Sequence, residues 1–147
     1  MYSNLLVPVD GTDISEQAMR KSVALARQLG ARITAFVAEP TAPMSGTGQS
    51  VSGIAREHEM HLASTERHAR ELLERFEATA RAAGVPFAGH HVWTEHIDDA
   101  IVGAAAEYGC DMIVMVTHGR SALARFFLGS HTAGVMARSK LPVLVLH

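Results

Sequence analysis

The chain has 147 residues, 48% apolar and 19% charged, with a formal net charge of −2. That composition suits one domain with a substantial core, and the near-neutral balance, without a Lys/Arg cluster, excludes an electrostatic case for nucleic acid. Cys110 is the single cysteine, which excludes an internal disulfide framework, and no apolar run approaches the roughly 20 residues that cross a bilayer.

The first residues, Met1-Tyr2-Ser3-Asn4, lack the basic and cleavage segments of a secretory leader, so a cytoplasmic protein is expected. Residues 4–9, NLLVPV, read as a short buried strand. Pro8 is an objection, because proline donates nothing to a ladder, but it falls near the strand's end. Asp10-Gly11 is a turn signal. Ile14, Ala18, Leu25 and Leu29 then predict a first helix, with Gly30 where a C-cap belongs. Residues 31–37, ARITAFV, predict a second strand. The stretch 40–53, PTAPMSGTGQSVSG, reads as a flexible surface loop, and it lacks the Gly-Lys-Ser/Thr ending of a phosphate loop.

Leu62, Ala69, Leu73, Phe76 and Ala80 predict one face of a long second helix that ends before Gly84-Val85-Pro86. FAGHHVW, 87–93, is a weaker third strand. A third helix carries Ile101, Ala104 and Tyr108, with Asp98 and Asp99 in its first turn complementing the helix dipole. DMIVMV at 111–116 and LPVLVL at 141–146 are the clearest strands, and a fourth helix runs between them from near Ser130 to near Lys140.

Strand–helix alternation ending on a strand predicts an α/β fold with a mostly parallel sheet and right-handed crossovers. Unbroken apolar runs predict strands covered on both faces. His58, His61 and His68 could share a helix face near Glu57, but solvated helix histidines are commoner than a metal site, and no metal is expected. His90 and His91 point to opposite faces of their strand. Cys110, Trp93 and the methionines read as packing residues.

The stretch THGRSALARFFLGSHT, 117–132, leaves a buried strand and places Gly129-Ser130 at a helix start. Gly119 and Gly129 fit a turn and a cap. They also fit an anion site, because glycine allows close backbone approach and free N–H groups at a helix start attract anions. No G-x-S-x-G elbow, kinase signature or nucleophile–base pair is present, so no evolved catalytic activity is expected.

Three segments, MYSNLLVPVDGTDISEQAM, CDMIVMVTHGRSALARFFLGS and SKLPVLVL, resemble the universal stress protein family of the small single-domain type, and the resemblance spans essentially the whole chain. It implies one domain over 1–147, with a five-stranded mostly parallel sheet of order 3-2-1-4-5 and helices on both faces, the Rossmann-like arrangement of the adenine-nucleotide alpha-hydrolases. The first and fourth strands then form a switch point, where open α/β sheets bind ligands. ATP-binding members carry Gly, two residues, Gly, nine residues, then Gly-Ser or Gly-Thr. Here Val116 holds the first glycine's position, Gly119 the second, and Gly129-Ser130 close the motif; Ala122 stands where a glycine is common.

By the same resemblance, Pro8, Val9 and Asp10 lie beside the nucleotide, and the Val37 backbone meets the adenine edge. Met115 lies near the base or ribose, while His118, Arg120, Ser130, His131 and Thr132 neighbour the phosphates. ATP, with Mg, is the implied ligand, and a homodimer through strand 141–146 is the implied assembly. The resemblance therefore implies a nucleotide-binding regulatory module of the stress response, with at most weak ATP hydrolysis or autophosphorylation at Ser130 or Thr132. The alternative is a dimeric stress protein that binds no nucleotide and acts as an interaction module.

Overall fold

The structure is a computed structural model that describes residues 1–9, 16–41, 51–116 and 130–147. Its elements are β1 (Asn4–Val9), α1 (Glu16–Leu29), β2 (Arg32–Glu39), α2 (Val51–Ala82), β3 (Phe87–Trp93), α3 (Ile97–Glu107), β4 (Met112–Val116), α4 (Ser130–Arg138) and β5 (Val143–Leu146). The strands form one sheet of order β3-β2-β1-β4-β5, and every pairing is parallel. The expected architecture is present.

Side-chain alternation along the strands divides the core into two layers. Leu5, Val7, Val9, Ile33, Ala35 and Val37 pack under α1 and α2. Leu6, Phe36, Ala38, Ile113 and Met115 pack under α3 and α4 on the other face. β1 is buried at every position because it lies mid-sheet, which explains its unbroken apolar run. β3 and β5 are edges and only partly buried, so FAGHHVW tolerates glycine and two histidines.

α2 and α3 bury stripes close to the expected ones, and α1 buries an adjacent one. Ala69, Leu72, Phe76 and Ala80 anchor α2, with Leu73 at the margin. In α1 the buried stripe is Ala18, Met19, Ser22, Val23 and Ala26. Leu25 and Leu29 are only partly buried and pack at the margin of this core layer. The buried Ser22 hydroxyl satisfies itself by donating to the Ala18 carbonyl at 3.0 Å. Gly30, at φ +65°, closes α1; nothing lies within 4 Å of a Cβ placed there, so the backbone conformation, not space, selects glycine.

Several boundaries differ from the sequence expectation. β2 runs two residues past Val37, because β3 supplies partners as far as Ala38–Val92 and Glu39–Trp93. α2 begins at Val51, so the tail of the expected loop is helical; residues 42–50 lie outside the described residues. β5 starts at Val143, and α4 stops at Arg138. Trp93 is an exception to the packing expectation: it is 38% exposed, with its indole N–H donating to Thr65 Oγ1 at 3.0 Å.

The ladder geometry resolves the objection posed by Pro8. Arg32 N–H donates to the Ser3 carbonyl and Asp111 N–H to the Asn4 carbonyl. Odd-numbered backbone groups of this segment therefore face β2, and even-numbered ones face β4. Pro8's missing donor faces β4, where the ladder among the described residues is Leu5–Met112 and Leu6–Ile113. Toward β2 the pairing continues to Val9–Val37.

At the opposite end of the sheet a polar knot ties the chain start to β4. Asp111 accepts from Ser3 N–H and Oγ at 2.8 Å each and from Asn4 N–H at 3.0 Å. Asn4 donates from Nδ2 to the Tyr108 carbonyl at 3.0 Å and accepts from the Thr34 hydroxyl at 2.8 Å.

Candidate functional site

β1 and β4 are neighbours, yet their following helices pack on opposite faces, α1 with the first core layer and α4 with the second. This is a topological switch point, and open α/β sheets bind ligands at the carboxyl ends of the strands beside such a point. Of the residues implicated by sequence, Asp10, His118, Gly119, Arg120 and Gly129 lie outside the described residues.

The rest take distinct positions around that end. Pro8 and Val9 close β1 opposite Phe36 and Val37. Val37 is fully buried, so any ligand contact there would be through its main chain. Met115 sits in the α3/α4 layer, whereas Val116 packs toward the α1/α2 layer. Ser130 and His131 are exposed in the first turn of α4, while Thr132 is only 4% exposed.

Polar side chains join α4 to α3. His131 Nδ1 lies 2.7 Å from Asp98 Oδ1. Arg138 Nη1 is 3.7 Å from Asp98 Oδ2, and Arg138 Nε is 3.0 Å from Asp99 Oδ1. Gly134 permits this approach, since a Cβ there would fall 1.9 Å from Asp98 Oδ2. Sequence reasoning assigned Asp98 to the helix dipole and overlooked this contact. The available signal was a lone glycine inside a helical pattern, which commonly marks close packing.

A second polar group gathers at the ends of β2 and β3. Glu39 is 3% exposed, and its Oε2 lies 4.0 Å from His91 Nε2; neither atom has a hydrogen-bond partner among the described residues. Thr41 donates from N–H and Oγ1 to Glu95 Oε1 at 2.7 and 2.5 Å. Beside them a cavity of about 380 Å³ is lined by Glu39, Pro40, His61, Ser64, Thr65 and His68. His61 Nε2 meets the Pro40 carbonyl at 3.1 Å, and among the described residues no three His, Cys, Asp or Glu side chains converge to hold a metal.

Burial lowers the His91 pKa, against the opposing pull of Glu39 and Glu66. A histidine whose folded value lies below its unfolded value near 6.5 stabilises fully above that value, and the contribution is lost as pH falls through the depressed one. Thermal unfolding followed from neutral pH to pH ~5 should show a melting temperature that falls more steeply for the parent than for His91→Gln. Equal slopes would mean that His91 titrates as it does in the unfolded chain.

The model of the universal stress protein family matches residues 1–147. The chain belongs to that family. A relative from Thermus aquaticus, a universal stress protein, is 30% identical over 148 residues, covering 99% of each chain. A universal stress protein of Methanocaldococcus jannaschii is 28% identical over 152 residues, 99% of this chain and 82% of its own. Among solved structures, a universal stress protein in complex with cAMP is 26% identical at TM-score 0.64, covering 99% of this chain and 97% of its own. The universal stress protein from Lactobacillus plantarum superimposes at TM-score 0.77 with 22% identity, covering 99% and 98%, and attests the shared fold.

Proposed function

We propose that this universal stress protein is an adenine-nucleotide-binding regulatory module, with the nucleotide at the β1/β4 switch point. The observation that carries the reading is the relative bound to cAMP, 26% identical over almost the full length of both chains. The switch-point crevice and an α4 that starts at Ser130 fit the same reading. In it, unpaired N–H groups at the start of α4 bind phosphate. Asp10, Val9 and Pro8 flank the nucleoside, together with the main chain of Val37 and the Met115–Val116 segment. His118, Gly119, Arg120, Gly129, Ser130, His131 and Thr132 surround the phosphates.

Val116 keeps an amide but adds a branched side chain at the first motif position. Accommodation of ATP therefore depends on ligand contact with the backbone at this position and not with its α-carbon. Magnesium would enter with the phosphates; Asp98 and Asp99 are engaged by His131 and Arg138 and are poorly placed to receive it. The role is binding without evolved catalysis. Of the two hydroxyls considered for phosphorylation, Ser130 is exposed and Thr132 buried.

Titration with a fluorescent ATP analogue tests the proposal. Saturable binding, lost in Asp10→Ala and Gly129→Val, is the expected result. A folded protein that binds no adenine nucleotide at millimolar concentration would instead favour the interaction-module reading.

The proposed assembly is a homodimer through β5, an edge strand that among the described residues pairs on one side only, with β4. Ile113 N–H donates to the Pro142 carbonyl, so even-numbered backbone groups of β5 face β4 and Val145 faces outward. Val145→Pro removes an outward donor while sparing the β4 ladder. Sedimentation should give a dimer for the parent and a folded monomer for the variant; a dimer that survives places the interface elsewhere. No helix among the described residues is long and apolar enough to cross a membrane. A cytoplasmic location completes the proposal.

A further inference from the structure

We propose that the outer edge of β3 is a docking site for an extended basic segment of a partner protein, which adds a strand beside β3 and presents two cations four residues apart. The inference goes beyond the nucleotide reading and stands or falls without it.

β3 ends the sheet and among the described residues pairs with β2 alone. Ile33 N–H donates to the Pro86 carbonyl and Thr94 N–H to the Glu39 carbonyl, so even-numbered backbone groups of β3 face β2. The N–H and C=O groups of Phe87, Gly89, His91 and Trp93 therefore point away from the sheet. Natural edges are commonly blunted by a bulge, a proline or a lysine. β3 has none of these: its seven residues, FAGHHVW, stay in unbroken register with β2. Such an edge is a template for the main-chain pairing that strand addition uses.

The side chains of the same odd-numbered residues lie under α2, which runs antiparallel to β3. Phe76 meets Phe87, Leu73 lies over Gly89, and Thr65 accepts from Trp93. A groove of about 420 Å³ lies between the helix and this strand, and its lining includes Glu66, Glu74, Glu77 and one cation, Arg70. Arg81 pairs with Glu77 at 2.7 Å, whereas Glu66 and Glu74 are exposed and form no ion pair with Lys or Arg among the described residues. Burial lowers the His91 pKa, so at neutral pH that ring adds no positive charge. Glu66 and Glu74 stand eight positions apart on α2, which is about 12 Å along a helix. Residues i and i+4 of an extended chain share a face and lie about 13 Å apart. Two cations at that spacing match the two carboxylates, and an apolar residue midway meets Leu73. Charge also argues against a second copy of this chain as the occupant. An isologous β3–β3 pairing with both α2 helices on one face would set carboxylate against carboxylate.

The probe is the capped peptide acetyl-Thr-Lys-Thr-Val-Thr-Lys-Thr-amide, titrated into the full chain at low salt and followed by calorimetry and amide hydrogen exchange. Its control, acetyl-Thr-Lys-Thr-Val-Lys-Thr-Thr-amide, has the same composition with the lysines on opposite faces. The probe should slow exchange at Phe87, Gly89, His91 and Trp93 about tenfold or more, while the even-numbered β3 amides, already bonded to β2, stay unchanged. It should bind about threefold tighter than the control. Glu66→Lys combined with Glu74→Lys should weaken the probe about tenfold, and should favour a counterpart peptide with glutamate in place of lysine by a similar factor. If that variant fails to fold, Glu66→Gln combined with Glu74→Gln should weaken the probe about threefold. Binding without protection of the odd-numbered amides overturns the proposal, as does equal affinity for probe and control, or no binding at millimolar peptide. Protection already present in the free chain and lost on dilution also overturns it, because a second copy would then occupy this edge. Each of these outcomes leaves the nucleotide reading untouched.

Discussion

Phe76→Ala is expected to lower the unfolding free energy by about 3–5 kcal/mol, a large share of a typical domain's 5–15. Phe76 is fully buried and sits in the stripe by which α2 grips the sheet. Its ring meets Phe87 edge to face, with centroids 5.2 Å apart and planes at 61°. Truncation removes that aromatic contact and leaves a cavity between Leu72, Ala80 and the sheet. β3 is an edge strand held on one side by β2 and from above by α2, so this loss falls where the sheet has least support. The melting temperature should drop by roughly 10 °C or more. A drop of only one or two degrees would show that α2 repacks to close the cavity.

The second large effect is expected at the polar knot. Asn4→Ala should cost about 2–4 kcal/mol, because truncating one partner strands the others. Thr34 loses the acceptor of its buried hydroxyl, and the Tyr108 and Gly109 carbonyls lose the Asn4 amide that reaches both, at 3.0 and 3.4 Å. Urea titration of Asn4→Ala beside Thr34→Val distinguishes this from a simple packing loss. If the network is coupled, the double variant loses less than the sum of the singles. Asp111 adds a pH dependence to the same knot. Desolvation works to raise its pKa, but the hydrogen bonds from Ser3 and Asn4 outweigh it and hold the carboxyl below its ordinary value. A depressed carboxyl stabilises fully above its unfolded value near 4 and loses that contribution as pH falls through the folded one. Asp111→Asn should accordingly be less stable than the parent at neutral pH, with the difference narrowing in strong acid.

The fold was legible because its central strands are buried on both faces. NLLVPV and DMIVMV then admit little but apolar residues, and the helices between them carry a visible period. Legibility fell at the edges and margins. FAGHHVW reads weakly because half-buried positions tolerate histidine and glycine, and the α1 stripe was misjudged by one face because Ser22 satisfies its hydroxyl locally. The start of α2 was obscured by glycine and serine, which usually signal loops. At the candidate site, motif spacing located the beginning of α4 at Ser130. The pairing of His131 with Asp98 is a contact across 33 positions, and the adjacency of Glu39 and His91 spans β2 and β3. Neither has a local pattern. Both arise only when the sheet brings distant segments together.

Pro8 gives the middle of the molecule two kinds of seam. Toward β2, main-chain bonding runs the whole length of β1; toward β4, the imide nitrogen has nothing to offer at the level of the crevice. A residue with an ordinary amide at this position would add a donor on the β4 side only, because the odd-numbered groups already serve β2. Substitution of this proline therefore acts on the crevice floor without loosening the other half of the sheet. Its phenotype, if ligand binding changes, can be read as a local one.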